Sequence, residues 1–393
     1  MDIRAARRTR HLKGYAFAEI QERVRELEAQ GHEVIDFGVG DPTAPTPELV
    51  RRACQHAVDE HAAAGYPRYE GSPAFREAVS AWIARRFGVR LDPAREVTST
   101  IGSKEAVSHL HEALVDPGDV VLCPSPGYPP YVRGTLLAEG VPYHVPVWRE
   151  SDMLPDLSLV PDHVAEKARM LWLCHPHSPT GRCLDRRELE AVYEWASRRG
   201  IVVASDEAYI DFYFGIDPPP SMLEVSRDGV IAFFSLSKRS TMTAYRVGFA
   251  AGDARLVGLL RTVKTNLDSG VPWFVDAAAV AALGDEAHVE QAREGYRASR
   301  DTLSRALAEA GLEPGTGNGT IYLWPRAPDG MSSLELARRL LEPPLPLVVT
   351  PGTWIAEPLA DGRNPGEGHV RFALVPPREL VDRAAEKIAR MRF

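Results

Sequence analysis

Apolar residues recur at helical spacing near the start of the chain. Between residues 15 and 30 they fall on one face of a helix: Phe17, Ile20, Val24 and Leu27. Gly31 follows, and a glycine after the last apolar position commonly ends a helix. The spacing predicts an amphipathic helix. The next stretch, VIDFGVGDPTAPTPEL, predicts a short strand and a Gly/Pro-rich loop whose backbone can approach a ligand closely.

From about residue 100, helical stretches alternate with short runs of apolar residues. The runs are VVLCPSP, VPYHVPV, MLWLCHP, IVVASDEAY and GVIAFFSLS. Runs of this kind are typical of strands buried on both faces. The alternation predicts an α/β fold with a largely parallel sheet covered by helices. Ligands gather at the carboxyl ends of such strands, so the polar ends of the runs are the places to look for chemistry.

The bulk composition favours a globular protein that acts on small molecules. The chain has 393 residues, 44% hydrophobic and 25% charged, with a net charge of −8. This charge argues against nucleic acid or a membrane surface as a partner, since both attract clustered Lys and Arg. Four cysteines without a C-x-x-C pair predict reduced thiols and a cytoplasmic location. No apolar stretch approaches the roughly 20 residues of a membrane span.

Candidate chemistry is concentrated in the segment FFSLSKRSTMTAYRVGFAAG. Lys238 lies just beyond an apolar run, with Ser235 and Ser237 beside it and Arg246 eight residues later. A lysine amine can form an imine with an aldehyde cofactor, and hydroxyls with a guanidinium suit a phosphate. A solvated basic loop after a strand is the simpler interpretation of this segment taken alone.

A second polar strand end lies upstream, in VVASDEAYIDFYF. A buried carboxylate at Asp206 can keep a pyridine nitrogen protonated, so that the ring accepts electrons. The phenol of Tyr209, three residues on, can donate to a ring oxygen. Singly, these residues are better explained as a helix N-cap and a core tyrosine. Together with Lys238 they favour a cofactor site.

These motifs, in this order, resemble the class I and II aminotransferases of fold type I, which use pyridoxal 5'-phosphate. The resemblance runs from about residue 12 to the C-terminus and is greatest to the diaminopimelate and succinyldiaminopimelate aminotransferase branch. It implies a large domain over residues 49–285 with a mostly parallel seven-stranded sheet sandwiched by helices. Residues 1–48 would supply an N-terminal arm and part of a smaller α/β domain, which residues 286–393 complete.

The resemblance also assigns roles to individual residues. Lys238 corresponds to the lysine that holds the cofactor as a Schiff base, with Asp206 and Tyr209 as the other catalytic positions. Cofactor-binding positions correspond to Ser103, Lys104, Tyr128, Ser178, Ser235, Ser237, Arg246 and, more weakly, Ser269. Tyr66, in AGYPRYEG, corresponds to a tyrosine that reaches the phosphate in the other subunit, which implies a homodimer with shared sites.

Substrate binding is implied at three further positions. Arg371, in HVRFALV, corresponds to the arginine that clamps the amino acid's α-carboxylate, where its planar fork suits the anion better than lysine does. Gly40 would hold the same carboxylate through its amide, and Tyr15 is the third position. For an isolated arginine on a strand, a surface salt bridge is the commoner explanation.

One segment departs from the family pattern. Where the family has N-P-x-N-P-T-G, this chain has HPHSPTG, so Ser178 replaces the asparagine that bonds the cofactor's ring oxygen. A serine is shorter and has one donor. We therefore expect Ser178→Asn to change the pH titration of the cofactor's absorbance. His175 and His177 lie close together in the same segment, but no third ligand is evident, so no metal site is predicted.

The implied reaction is transfer of the amino group from an amino acid, of dicarboxylic or basic type, to a 2-oxo acid. The departure at Ser178 keeps open another reaction on the same fold: elimination, cyclisation, or oxygen-dependent oxidation of an amino acid such as arginine. A third alternative is a non-catalytic regulator. Regulators of this kind carry an added DNA-binding domain, whereas about a dozen residues precede the region of resemblance here. The intact Lys238 also favours an enzyme.

Overall fold

The computed structural model describes Met1 and residues 3–10, 12, 18–215 and 217–393. Its α-helices are α1 Ala18–Ala29, α2 Glu48–Glu60, α3 Pro73–Phe87, α4 Ser103–Leu114, α5 Pro129–Leu137, α6 Asp162–Ala165, α7 Arg186–Ser197, α8 Met222–Val225, α9 Leu236–Arg239, α10 Ala254–Leu267, α11 Trp273–Gly284, α12 Ala287–Glu309, α13 Ser333–Leu340 and α14 Arg378–Arg390. Its strands are β1 Ile35–Asp36, β2 Val97–Thr100, β3 Val120–Ser125, β4 Val141–Pro146, β5 Ala168–Cys174, β6 Val202–Asp206, β7 Val230–Ser235, β8 Gly248–Gly252, β9 Tyr322–Leu323, β10 Leu347–Val348, β11 Thr350–Pro351 and β12 Val370–Ala373.

A seven-stranded sheet in the order β2-β8-β7-β6-β5-β3-β4 forms the centre of the fold. The pairs from β7 through β4 are parallel, and β8 runs antiparallel to both of its neighbours. The predicted α/β fold with a mostly parallel seven-stranded sheet is therefore confirmed. All five apolar runs form strands of this sheet.

Burial differs among the predicted strands. β3 and β7 are buried at every position, as expected for strands covered on both faces. β4 is half-exposed over its first four residues, so the prediction of full burial is wrong for this strand. β4 is the last strand in the sheet order, and its side chains Tyr143 and Val145 pack in the apolar cluster on one face of the sheet.

Helices cover the sheet on both faces. One apolar cluster joins the sheet to α3, α7 and α11, and another joins it to α4, α5 and α10. Each cluster contains the side chains that project from one face of the strands, because successive residues of a strand alternate between faces. This two-sided packing holds the strand ends, and the polar side chains on them, in fixed relative positions.

A second structural unit packs around the shorter strands. β1 pairs in parallel with β10, and β12 pairs antiparallel with both β11 and β9. Its apolar cluster joins Ile35 and Phe37 to side chains from α12, α13 and α14. Residues from both ends of the chain thus share one core.

The predicted N-terminal helix corresponds to α1, which ends two residues before Gly31, a residue with φ of 87°. Its first positions, 15–17, lie outside the described residues. In the part of the chain that the structure describes, no helix combines the length and apolarity that a membrane crossing requires.

Candidate active site

The carboxyl ends of β6 and β7 bring together the residues that the motifs single out. β6 ends at Asp206, which lies opposite Phe233 of β7. β7 ends at Ser235 and continues directly into α9, the short helix that carries Lys238. The antiparallel strand β8 then runs back beside β7, with Gly248 paired to Ser235.

Asp206 is a buried carboxylate with two hydrogen-bond donors. The Tyr131 hydroxyl donates to its Oδ2 at 2.7 Å, and the Ala208 amide donates to its Oδ1 at 3.1 Å. Burial raises the pKa of Asp206, while these two donors and the charge of Lys238 act to lower it. Such a carboxylate is suited to hold a proton on a neighbouring heterocyclic nitrogen.

Tyr131 packs on a tryptophan, which is in turn hydrogen-bonded to a histidine. Its ring stacks on Trp172, with centroids 4.7 Å apart. The Trp172 indole nitrogen donates to Nε2 of His111 at 3.0 Å, and Nδ1 of His111 donates to the Val107 carbonyl at 2.7 Å. Burial lowers the pKa of His111 to about 4, so this imidazole stays neutral and can accept the indole proton.

The N-terminus of α4 forms a cradle suited to a phosphate. Gly102 precedes the helix with φ of 71°, and a Cβ at this position would overlap the Arg246 guanidinium. Glycine therefore lets the guanidinium approach the first turn, which begins at Ser103. Arg246 also donates to the Ser237 hydroxyl at 3.4 Å. Backbone amides at a helix start, a guanidinium and hydroxyls together favour an anion.

Lys238 projects from α9 toward the loop that follows β1. Its Nζ donates to the carbonyl of Gly40 and lies 6.0 Å from the centroid of the Tyr209 ring. Tyr209 in turn hydrogen-bonds the hydroxyl of Tyr322 at 2.9 Å. Lysine, phenol and glycine loop therefore border one small region.

Arg371 reaches the same loop from β12. Its Nη2 donates to the Gly38 carbonyl at 2.8 Å, and the guanidinium carbon lies 4.5 Å above the ring of Tyr322. Its buried Nε has no hydrogen-bond partner among the described residues. A half-buried guanidinium with donor capacity to spare is suited to a carboxylate.

The remaining predicted positions lie at varied distances from this centre. Tyr128 precedes α5 and contacts Tyr131 edge to face, with ring centroids 5.7 Å apart. Ser178 is half-buried, and its amide donates to the sulfur of Cys174. Lys104 and Ser269 are exposed, and Tyr66 exposes 89% of its surface. Tyr15 lies outside the described residues.

Both histidines of the HPHSPTG segment are buried, and both ring nitrogens of each have hydrogen-bond partners. His175 donates from Nε2 to the Pro220 carbonyl and accepts the Leu184 amide proton at Nδ1. His177 donates from Nε2 to the Pro126 carbonyl, and its Nδ1 lies 2.9 Å from the Thr180 hydroxyl. Burial lowers the pKa of each to about 4.

Sequence reasoning missed two tyrosines that contact the predicted residues. Tyr131 follows Tyr128 by three positions, one helical turn, so helical spacing could have indicated it. Tyr322 lies in TIYLWPRAP, a segment to which no motif assigns a role. No local signal pointed to its contacts with Tyr209 and Arg371, because these depend on how β9 packs.

Comparison with known proteins agrees with this geometry. The family model described as aminotransferase class I and II matches residues 32–388. The chain belongs to the class I and II aminotransferases. It is an enzyme that uses pyridoxal 5'-phosphate to transfer amino groups between small molecules.

Individual members of the family are similar over nearly their whole length. An LL-diaminopimelate aminotransferase of Aquifex aeolicus is 41% identical, over 98% of this chain and 98% of the relative. A solved structure of a probable N-succinyldiaminopimelate aminotransferase from Thermus thermophilus is 32% identical, with a TM-score of 0.87 over 95% of this chain and 99% of its own. A double mutant of Thermus thermophilus aspartate aminotransferase gives a TM-score of 0.90 at 27% identity, over 99% of this chain and 100% of its own.

The residues present fit pyridoxal phosphate. The amine of Lys238 matches its aldehyde, the buried carboxylate of Asp206 matches its pyridine nitrogen, and the cradle at Ser103 and Arg246 matches its phosphate. Lack of a side chain at Gly102 is what allows the cradle to be compact. The donor set thus agrees with the cofactor that the family uses.

Proposed function

We propose that this aminotransferase takes the amino group of diaminopimelate or a closely similar dicarboxylic amino acid and passes it to a 2-oxo acid. The name and 41% identity of the Aquifex aeolicus relative support the substrate class. The geometric support is one observation: Lys238 and Arg371 reach the same short loop, at Gly40 and Gly38 respectively. The amine and the carboxylate of an α-amino acid are attached to the same carbon. The group that reacts with the amine and the group that binds the carboxylate must therefore lie close together.

The chain's residues then have separable tasks. Arg371 binds the α-carboxylate, and its fork fixes the orientation of the Cα–H bond. Lys238 Nζ, once free, removes the proton from Cα as a general base. Bound pyridoxal phosphate supplies an electron-accepting ring that stabilises the negative charge left at Cα. Asp206 holds the proton on the pyridine nitrogen, without which that ring is a weaker acceptor.

The cofactor's other edges engage further side chains. Ser103, Lys104, Ser235, Ser237 and Arg246 would bind the phosphate. Tyr128 would cover the ring, while Tyr209 and Ser178 would face its oxygen. These assignments follow the family's motifs. The closeness of Arg246 to Gly102 and Ser237 supports those at the phosphate.

We further propose a homodimer in which Tyr66 of each subunit completes the partner's phosphate site. Its 89% exposure in the single chain supports this, because a phenol is seldom left so fully in water. The domain limits at residues 48 and 285, and the cytoplasmic location, remain predictions.

A half-reaction assay tests the proposed reaction. Purified holoenzyme is mixed with single amino acids, including diaminopimelate, glutamate and arginine, while the cofactor spectrum is followed with and without oxygen. We expect diaminopimelate to convert the cofactor stoichiometrically to pyridoxamine phosphate, and a 2-oxo acid to reverse the change. Oxygen should make no difference. Lys238→Ala serves as the negative control.

A matched variant tests the carboxylate clamp in the same assay. Arg371→Lys keeps the charge and loses the fork, so KM for the amino acid should rise at least tenfold with a smaller change in kcat. Oxygen-dependent release of ammonia without pyridoxamine phosphate would instead support the alternative reaction that the serine at position 178 keeps open.

A further inference from the structure

Tyr322 contacts three of the residues assigned above to cofactor and substrate. It is the first residue of β9, exposes 6% of its surface and pairs with Ala373 at the end of β12. β12 also carries Arg371. The short sheet therefore presents the phenol of one strand and the guanidinium of the next toward the same region.

The first contact is with Tyr209. The two hydroxyl oxygens lie 2.9 Å apart, and the rings meet edge to face with centroids 5.5 Å apart. A phenol has one proton to donate. If Tyr209 donates its proton to the cofactor's ring oxygen, it can only accept at Tyr322, and Tyr322 must then be the donor of the pair.

The second contact is with Arg371. The guanidinium carbon lies 4.5 Å from the centroid of the Tyr322 ring. A cation over an aromatic face is attracted to it, and more so when water is excluded. Nη2 is fixed by the Gly38 carbonyl and the Thr350 hydroxyl. The ring also contacts the guanidinium, and Nε keeps its proton for an additional acceptor.

The third contact is with Gly40. A Cβ on Gly40 would overlap the hydroxyl and ring edge of Tyr322. The phenol therefore occupies the space that a side chain at position 40 would fill. It lies against the loop to which Lys238 donates.

We propose that Tyr322 is a positioning residue with two separable parts, a hydroxyl that acts through Tyr209 and a ring that acts through Arg371. The proposal rests on the roles of Tyr209 and Arg371 in the proposed function. Donation from Tyr322 polarises the Tyr209 hydroxyl and strengthens the bond it makes to the ring oxygen. At position 178 a serine offers one donor where the family's asparagine offers two, so the tyrosine pair would carry a larger share of the stabilisation of that oxygen.

The hydroxyl part predicts a spectral effect in the resting holoenzyme, without substrate. When the imine at Lys238 loses its proton, the negative charge of the ring oxygen is no longer offset, and donors to that oxygen favour the deprotonated form. Tyr322→Phe removes one such influence and should raise the apparent pKa of the absorbance titration by about half a unit. Ser178→Asn in the same background should lower it again.

The ring part predicts a binding effect. Pimelate, which is diaminopimelate without its amino groups, presents the carboxylate and cannot react at Lys238. Tyr322→Phe keeps an aromatic face under Arg371, so the Kd for pimelate should stay within about twofold of the parent. Tyr322→Leu loses the face and should weaken pimelate binding about tenfold.

Tyr296→Phe is the matched control, since Tyr296 belongs to the same apolar cluster and packs on Phe212. It should leave both readouts at the parent values. A Tyr322→Phe titration that superimposes on the parent overturns the hydroxyl part, and equal pimelate affinities for the Phe and Leu variants overturn the ring part. If Tyr322→Phe shifts the titration while diaminopimelate gives no half-reaction, the proposed substrate is wrong and the role of the hydroxyl stands.

Discussion

At the scale of single residues, the role proposed for Asp206 requires this buried carboxylate to stay ionised. Desolvation raises its pKa, and the donors at 2.7 Å and 3.1 Å work against that rise. The stronger donor is the hydroxyl of Tyr131, a side chain that itself lies fully buried. Tyr131 therefore affects the charge of Asp206 and, in the proposed function, the protonation of the pyridine nitrogen.

Tyr131→Phe should separate this influence from packing. The ring still stacks on Trp172, while Asp206 loses a hydrogen bond to a charged group, worth about 2 kcal/mol. We expect kcat to fall at least tenfold, KM for the amino acid to change less than threefold, and the cofactor to dissociate faster. Tyr143→Phe is the control, because that hydroxyl donates to a backbone carbonyl at the surface. Equal kinetics for the two variants would contradict a role for Tyr131.

The sequence pattern located the strand ends that meet at the candidate site, but not the side chains around them. Lys238, Asp206 and Ser235 lie at the ends of apolar runs, so an ordinary pattern located them. Tyr322 could not be found in this way, because its neighbours come from strands far away in sequence. Their pairing register depends on the packing of the whole smaller unit.

At the scale of elements, the apolar pattern predicted five strands of the seven-stranded sheet and missed the other two. β2 has the sequence VTST and β8 the sequence GFAAG. Neither is a run of large apolar residues, yet both are fully buried. Gly248 of β8 has no room for a Cβ, which would overlap the Phe234 carbonyl. Small residues are required there by close approach, and that requirement is invisible in hydrophobicity.

A cluster of charged side chains packs against the start of α4. Lys264 of α10 is completely buried and binds Glu105 at 3.1 Å and Asp268 at 2.9 Å. His109 also lies 2.5 Å from Glu105. Glu105 accepts the Ile101 amide proton at 3.0 Å, so the cluster is joined to the turn that carries Gly102. The ammonium compensates the two carboxylates.

Lys264→Met should therefore destabilise the fold by about 3–5 kcal/mol, because two buried carboxylates lose their cation. The control is Arg198→Met, which breaks another helical pair four residues apart, with Glu194 at 2.8 Å but at 73% and 62% exposure. It should cost less than about 0.5 kcal/mol. Thermal unfolding of the holoenzymes at equal protein concentration measures both. Similar losses would mean that the buried cluster contributes no more than a surface pair.

At the scale of the whole molecule, buried neutral histidines connect stability to pH. The pKa of His111 is about 4 in the fold, against about 6.5 in an unfolded chain. Between these values the unfolded state binds more protons, so this contribution is complete above pH 6.5 and is lost as pH falls toward 4. Protonation would also place two donors, Nε2 and the Trp172 indole nitrogen, face to face.

His111→Gln should be less stable than the parent at pH 7, because the geometry of its bonds to Trp172 and Val107 is disturbed. The difference in free energy of unfolding between the variant and the parent should narrow by roughly 2 kcal/mol between pH 6.5 and 5. The parent alone loses stability there, because its unfolded state binds a proton at His111 that its folded state does not. Urea unfolding at the two pH values measures the gap. His56→Gln, at an exposed position of α2, is the control for exchanging a histidine for glutamine. A gap that stays constant would show that His111 is not the group responsible.

The proposed dimer makes a prediction at the same scale. Tyr66→Phe removes a phenol that would reach the partner's phosphate, and a hydrogen bond to a charged group is worth about 1.5–3 kcal/mol. Cofactor affinity should fall tenfold or more while the sedimenting mass stays that of a dimer. Tyr69→Phe, at a neighbouring position that is 38% exposed, is the control. A monomeric parent, or unchanged affinity, would contradict the shared site.

The contact between the loop after β1 and strand β11 joins parts of the chain that are made at very different times during protein synthesis. Gly38 and Thr350, which hydrogen-bond to each other and to Arg371, are 312 positions apart. The strands that carry Asp206 and Lys238 leave the ribosome long before β10 and β12 are translated. Every newly made chain therefore passes through a stage at which Lys238 exists and Arg371, the proposed carboxylate clamp, does not.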